Sequence, residues 1–375
     1  MLLLDRYLLR QFLSVFAIAF CSLAGLYIVA DALGHLEEFV TQAGDSLIAT
    51  MAEYYGYRTI AFFDRTSGIL TLIAAMFTLA SFQRHNEMTA VEAAGISKWR
   101  TVRPIILAVV AISLFAAASR ELVIPQFRDK FSRSAQDLAA DSTKRLAPRY
   151  DNNDVFINGR QLRTNQQRID DPTFRLPPEL AHYGRYLVGK TATYQTATDD
   201  RPAGFLFENV SQPQSLPAKP SLRLASGEPV LMTPHDTTWL KANECFLVSG
   251  VAFDQLVDAA SWRQYSSTAD LIAGLYNRSL DFGADVRVTI HSRLVQPVLD
   301  VTLLFLGMPL LLRRGNRNVF LAIGLCLLVV IGFLLVVMSC QYLGTSILVT
   351  PVMAVWAPLF VFVPLAAWIS EPVWE

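Results

Sequence analysis

The chain has 375 residues, of which 53% are hydrophobic and only 17% charged, with 32 basic side chains balanced by 32 acidic ones. A soluble domain carries about 25% charged residues, so the deficit points to a membrane protein. Zero net charge excludes an overall basic field for nucleic acid, and four cysteines without CxxC spacing (Cys21, Cys245, Cys326, Cys340) argue against a disulfide framework or a Cys-based zinc site.

Six apolar runs punctuate the chain, at roughly 12–33, 66–82, 104–119, 294–312, 319–339 and 348–368. Crossing the hydrocarbon takes about 20 such residues. The first run is preceded by Arg6 and Arg10, but it is longer than the h-region of a signal peptide and LGHLEEF follows it. It is read as an uncleaved span. Runs two and three are short, and Asp64 and Arg65 stand just before run two. Both are read as spans whose ends are buried by neighbouring helices.

Between them lies QRHNEMTAVEAAGISKWRTVR (83–103), where Met88, Val91, Gly95 and Trp99 recur at helical spacing and Thr89, Glu92 and Lys98 fall opposite. Glu87 in the first turn favours the helix dipole. The residues fit either an amphipathic helix resting at the headgroups or a coupling helix inserted in a cleft of a soluble partner, with Glu87 as a charged contact.

After run three comes a polar stretch of about 170 residues. Its short segments rich in β-branched and aromatic residues, at 154–163, 183–195, 204–211, 228–232, 237–250 and 286–294, predict strands of a sandwich, jelly roll or barrel. STADLIAGLYNRS (267–279) predicts a helix capped by Ser267 or Thr268, with Leu271, Leu275 and Tyr276 on one face. The string GRYLVGKT (184–191) fits the P-loop template. A P-loop needs a buried strand before it and a helix after it; here a Pro-broken segment precedes and the Thr-rich ATYQTATDD follows. It is read as part of a strand.

Orientation follows from the basic loops. Arg6 and Arg10, then Arg84, Lys98, Arg100 and Arg103, then Arg313, Arg314 and Arg317 all fall on one side. The segment between runs one and two carries Glu37, Glu38, Asp45 and Glu53 against Arg58, and none of the basic residues falls between runs five and six. The termini are therefore expected in the cytoplasm and the β-rich domain outside it.

Several polar residues stand out. Asp300 lies within span four, where an acid costs about 2.5–3.5 kcal/mol; it either faces a cavity or partner, or reaches interfacial water. Gln341, at the outer end of span five, has the same two readings. The five histidines, His35, His85, His182, His235 and His291, show no ligand-pair spacing, so no metal site, no cofactor and no catalytic cluster is expected. The sequons Asn209-Val210-Ser211 and Asn277-Arg278-Ser279 matter only in a eukaryotic secretory route.

The sequence resembles the LptF/LptG family of lipopolysaccharide export permeases over nearly its whole length. The likeness is carried by LDRYLLRQF (4–12), NEMTAVEAAGISKWR (86–100), RELVIPQ (120–126), HSRLVQPVLDVTLLFLGMPLLLRRG (291–315) and YLGTSILVTPVMAVWAP (342–358). It implies six transmembrane helices in a 3+3 layout: 1–123 with a coupling helix at about 86–98, an inserted periplasmic β-jellyroll-like domain at 124–290, and 291–375. It further implies a bacterial inner-membrane, non-catalytic subunit that pairs with a second homologous permease. A cytoplasmic ABC ATPase dimer would hydrolyse ATP below it, contacting Glu87, Val91, Gly95 and Ser97. Lipid cargo would leave through periplasmic jellyroll bridge proteins. A related system that releases lipoproteins, or a non-catalytic envelope scaffold, is the alternative; a membrane-embedded enzyme has only Asp300 and Gln341 to work with.

One departure follows from the resemblance. Family members often place a basic residue in the outer part of span one to meet the lipid phosphates. Here GLYIVADALGHLEEF (25–39) has Asp31, His35, Glu37 and Glu38 and no Lys or Arg. The headgroup is then bound differently, by the partner permease, or the cargo is a modified lipid; Asp31 and His35 are candidates to face the cavity or the partner.

Overall fold

A computed structural model describes the chain except for residues 1–2, 43–45, 133–142, 145, 147, 152, 179–183, 199–200, 214–217, 224–228, 258, 277–282, 313–318 and 372–375. Asp45, His182, the 277–279 sequon and the basic loop Arg313, Arg314 and Arg317 lie outside the described residues. The chain divides into two compact units, one of Met1–Leu36, Met51–Phe127 and Phe282–Glu375, the other of Glu37–Thr50 and Arg128–Asp281.

In the first unit the six apolar runs fall, to within three residues at their ends, inside six helices long and apolar enough to cross a membrane. These are α1 (Leu3–Gly34), α3 (Leu47–Arg84), α5 (Lys98–Ala118), α10 (Ala284–Leu312), α11 (Val319–Thr345) and α12 (Pro351–Ile369). The segment between runs one and two is largely helical: a short α2 (Leu36–Gln42) and the first turns of α3 occupy it. Between α3 and α5 lies α4 (Glu87–Ala93). Helices suit a bilayer because each satisfies its own backbone. A shared apolar core joins Phe12 of α1, Leu79 of α3, Val102 of α5, Leu303 of α10 and Phe333 of α11.

Directly after α5 the backbone widens into a π-helical turn, Ser119–Val123, and then a 3₁₀ turn, Pro125–Phe127. Such π turns rotate the side chains that follow relative to α-helical register. This one carries Arg120.

The expected strand at 286–294 is instead the first part of α10. Its β-branched residues favour a strand locally, but Val288, Val295, Leu299 and Leu303 keep one buried helical face into the membrane run. Packing overrides propensity there.

The second unit is antiparallel β throughout its described strands. One eight-stranded sheet runs β1-β4-β5-β8-β9-β12-β11-β10 and one four-stranded sheet runs β2-β3-β6-β7. In chain order these are β1 (Thr143–Lys144), β2 (Arg149–Tyr150), β3 (Phe156–Ile157), β4 (Gln161–Arg163), β5 (Arg168–Asp170), β6 (Thr173–Arg175), β7 (Tyr186–Val188), β8 (Thr191–Gln195), β9 (Gly204–Glu208), β10 (Leu222–Arg223), β11 (Pro229–Met232) and β12 (Glu244–Val248). The two sheets close over one apolar core. Phe174 of β6 meets Phe205 and Phe207 of β9 edge-on, at ring separations of 5.7 and 4.8 Å. Cys245 is enclosed in the same core, and burial pushes its thiol pKa up.

Short helices α6 (Arg128–Ser132), α7 (Phe253–Val257), α8 (Ala259–Tyr265) and α9 (Thr268–Tyr276) complete this unit. Ser267 caps α9 as expected: its Oγ accepts from Asp270 N–H at 3.0 Å while the Asp270 carboxylate accepts from Ser267 N–H at 3.3 Å. Leu271 is buried, but Tyr276 is 86% exposed, off the inward face.

Candidate functional site

The P-loop lookalike is settled by its backbone. GRYLVGKT is two strands rather than one: β7 belongs to the four-stranded sheet and β8 to the eight-stranded sheet, and Gly189-Lys190 is the crossing between them. Lys190 N–H donates to Glu208 C=O at 3.1 Å and Gly189 N–H to Pro172 C=O at 3.3 Å, so neither amide is free for a phosphate. The Thr191 hydroxyl, which in a P-loop would serve a cation, donates to the Glu208 carboxylate at 2.9 Å. Gly189 is favoured for another reason: a Cβ there would crowd the Phe207 ring at 3.1 Å and Glu208 C=O at 3.2 Å.

The segment between α3 and α5 has the exposure a docking surface needs. The helix expected over about 86–98 stops after Ala93. Gly95 N–H donates to Glu92 C=O at 3.0 Å and Ile96 N–H to Val91 C=O at 3.2 Å. That pair of bonds is a Schellman closure, whose penultimate residue must be left-handed; Gly95 has φ +75°. Ser97 then starts the next helix, its Oγ accepting from Arg100 N–H at 3.4 Å. Gly95 and Ser97 are thus the stop and start signals of a tight corner, and both are exposed.

Val91 and Trp99 pack partly buried against the bundle core, and Met88 is buried within it. Lys98, expected on the polar face, is buried as well. The outward surface consists of Thr89, Ala90, Ala93, Ala94, Gly95 and Ser97, all small. Glu87 is half-buried at its edge and accepts a hydrogen bond from Tyr7 Oη of α1 at 3.3 Å. Nearby, the Gln83 amide donates to Leu311 C=O and ties the ends of α3 and α10.

Asp31 and His35 sit together near the far end of α1. His35 Nδ1 lies 2.9 Å from Asp31 C=O and 3.8 Å from its carboxylate. Two residues of α3 join them. Tyr55 Oη donates to Asp31 at 3.0 Å, and Arg58 lies 4.0 Å from the same carboxylate, donates to Tyr27 Oη at 3.2 Å and stacks over Tyr54 at 4.6 Å. Sequence reasoning looked for this basic residue in span one and did not find it. Arg58 stands on α3, 27 positions from Asp31 and 31 from Tyr27, and α-helical phase alone carries no such signal.

Deeper in the bundle a polar cluster joins α3, α5, the π turn, α10 and α11. Asp300 is 7% exposed and faces the bundle rather than interfacial water. Its oxygens accept from Ser113 Oγ at 2.8 Å and Gln296 Nε2 at 2.9 Å. Gly68 packs directly against it; a Cβ there would come within 2.3 Å of Asp300 Oδ1. Beside it Arg120 grips Asp64, with Nε 2.9 Å from each carboxylate oxygen and Nη2 2.8 Å from Oδ1. Asp300 and Gln341 line one cavity of about 360 Å³ together with Asp64, Arg120 and Ser113. Asp64 was visible in the sequence only as an interruption before run two, and its partner lies far along the chain.

Among the described residues no group of three or more His, Cys, Asp or Glu side chains is arranged to hold a metal ion. Comparison with individually curated proteins finds no match. The family model for the lipopolysaccharide export system permease LptF/LptG matches residues 6–371. With six span-forming helices and an inserted antiparallel β unit, the chain belongs to the LptF/LptG permease family, a family of multi-pass membrane transporter subunits.

Proposed function

We propose that this chain is the permease subunit of an ATP-driven exporter that takes lipopolysaccharide, or a lipid like it, from the bacterial inner membrane and passes it toward a periplasmic bridge of jellyroll proteins. A separate cytoplasmic ABC ATPase dimer supplies the work, and a second permease of the same layout completes the cavity. Residues 124–290 then stand on the periplasmic side, with both termini in the cytoplasm. The observation that carries this reading, beyond family membership, is the Glu87–Ser97 corner. Its outer surface of small side chains admits close approach of a partner, its inner side rests on the bundle core through Met88 and Val91, and Glu87 and Glu92 give it partly exposed acidic edges.

In this arrangement a push on the corner reaches α3 and α5 directly, because Gly95 and Ser97 close it tightly between them. Glu87 meets a basic side chain of the ATPase. A charge pair at a partly buried docking site is costly to break from one side. At the far end of α1, Arg58 answers the missing cation of span one: held by Tyr27 and Asp31, it offers guanidinium donors suited to a lipid phosphate.

The test is Glu87→Arg. The variant should enter the membrane at normal levels while ATP-driven lipid release stops, and a compensating acidic substitution on the ATPase should restore part of it. Full lipid release by Glu87→Arg would reject the coupling role. Release of a lipoprotein rather than a glycolipid by the wild-type complex would reassign the cargo.

A further inference from the structure

The cavity beside Asp300 is not explained by packing of the spans or by the proposed lipid route. It lies within the helical unit, walled by α3, α5 with its π turn, α10 and α11. Counting at 1.5 Å per residue, Asp64 stands about 30 Å from the Arg84 end of α3, whereas Asp300 stands about 18 Å from the Leu312 end of α10. The cavity therefore runs from one membrane boundary toward the middle of the bilayer. At about 360 Å³ it is within the size range of small-molecule sites, which begins at about 300 Å³.

Its charges are unequally matched. Asp64 and Arg120 neutralise each other through three short contacts. Arg293, 8% exposed, lies 4.0 Å from Glu121. Arg65 is exposed at the rim. Asp300 accepts hydrogen bonds from neutral donors, Ser113 and Gln296, and among the described residues no basic side chain lies within ion-pair distance of it; Arg120, whose charge reaches it, is already engaged by Asp64. A carboxylate at that depth is costly without a counter-charge. The same cavity is lined by the apolar side chains of Leu303, Phe333, Leu334 and Val337.

The geometry points to a binding site for an amphiphilic cation, a protonated amine carrying a short apolar tail. The ammonium donates to Asp300, with the Ser113 hydroxyl and the Gln341 amide oxygen as further acceptors within the same cavity. The tail lies along Leu303 and Val337. Two neutral hydrogen bonds already fix the carboxylate, so a cation meets an ordered acceptor rather than one it must organise. A neutral alcohol of equal length would gain the apolar contact alone, and an anion would meet repulsion.

The test uses the full chain in lipid nanodiscs, with Cys21 and Cys340 changed to alanine and Val337→Cys on the cavity wall. Cys245 and Cys326 are buried and remain. Rates of modification by the cationic aminoethyl methanethiosulfonate and the anionic sulfonatoethyl reagent are each divided by their rate with free cysteine. The cation should react several-fold faster, and octylamine should slow the reaction while octanol at equal membrane content does not. Asp300→Asn should remove both effects. Should that variant fail to fold, Gln341→Lys places a positive charge at the cavity and should remove the same preference. Equal normalised rates for the two reagents, or equal protection by octanol, would overturn the assignment. Lipid release is not part of the readout, so its failure leaves the transport proposal standing and the reverse also holds.

Discussion

The helical unit and the β unit sort their side chains in opposite ways. In the β unit, Phe174, Phe205, Phe207 and Phe246 are fully buried, while the ion pairs Arg163–Asp170 and Arg168–Asp170 lie at 2.7 and 3.0 Å on partly exposed strands. In the helical unit, large apolar side chains face outward, Leu328 at 68% exposure among them, and Asp300, Lys98 and Thr78 face inward. Water explains the first pattern through the hydrophobic effect. Lipid removes that drive between helices, so packing and interhelical hydrogen bonds set the second. A buried polar residue in the helical unit also ties helices together, as the Ser113–Asp300 hydrogen bond does between α5 and α10.

The sharpest break of this comparison is in the β core. Phe207→Ala should cost about 3–5 kcal/mol, seen as protease sensitivity of the β unit, with the helices still inserted. If the helical unit were equally disturbed, the two cores would not be independent. In the bundle, Asp64→Ala leaves Arg120 without its counter-charge and should cost about 3 kcal/mol, read as a lower aggregation temperature in detergent. Replacing both Asp64 and Arg120 by alanine should recover much of that loss; no recovery would mean the pair is not the source of the cost.

Gly68→Ala sharpens the same point at smaller scale. The added methyl meets the Asp300 carboxylate at 2.3 Å, and overpacking of this kind costs about 1–3 kcal/mol. The same substitution combined with Asp300→Ala should cost less than the sum of the two. Smallest is Gly95→Ala. Nothing lies within 4 Å of the added methyl, so only the left-handed backbone is strained, at about 1 kcal/mol. Protein levels should hold while ATPase stimulation by the permease declines.

These pairs also mark how far the sequence could be read. Six spans were legible because run length is a local property that a bilayer enforces. The corner after α4 was legible in composition: Gly95 and Ser97 are helix stop and start residues, although a periodic reading through Trp99 joined two helices that the chain separates at Gly95. Residues 286–294 misled because β-branched side chains are weak evidence against a continuous buried helical face. The ion pair of Asp64 with Arg120, and the place of Arg58 beside Asp31, depend on which helices lie side by side. A single sequence does not encode that in any local pattern. Asp300 was conspicuous as an acid in an apolar run, but its neighbours Ser113 and Gly68 became meaningful only with the helices packed.

The proposed function requires the Glu87–Ser97 corner on the cytoplasmic side of the membrane and the β-rich residues on the periplasmic side. Single cysteines at Thr89 and Arg160, in a chain with Cys21 and Cys340 changed to alanine, test it most directly with a membrane-impermeant maleimide on intact spheroplasts. The account predicts that Arg160→Cys is labelled at once and Thr89→Cys only after lysis. Labelling of Thr89→Cys in intact spheroplasts, or of both positions together, would contradict it.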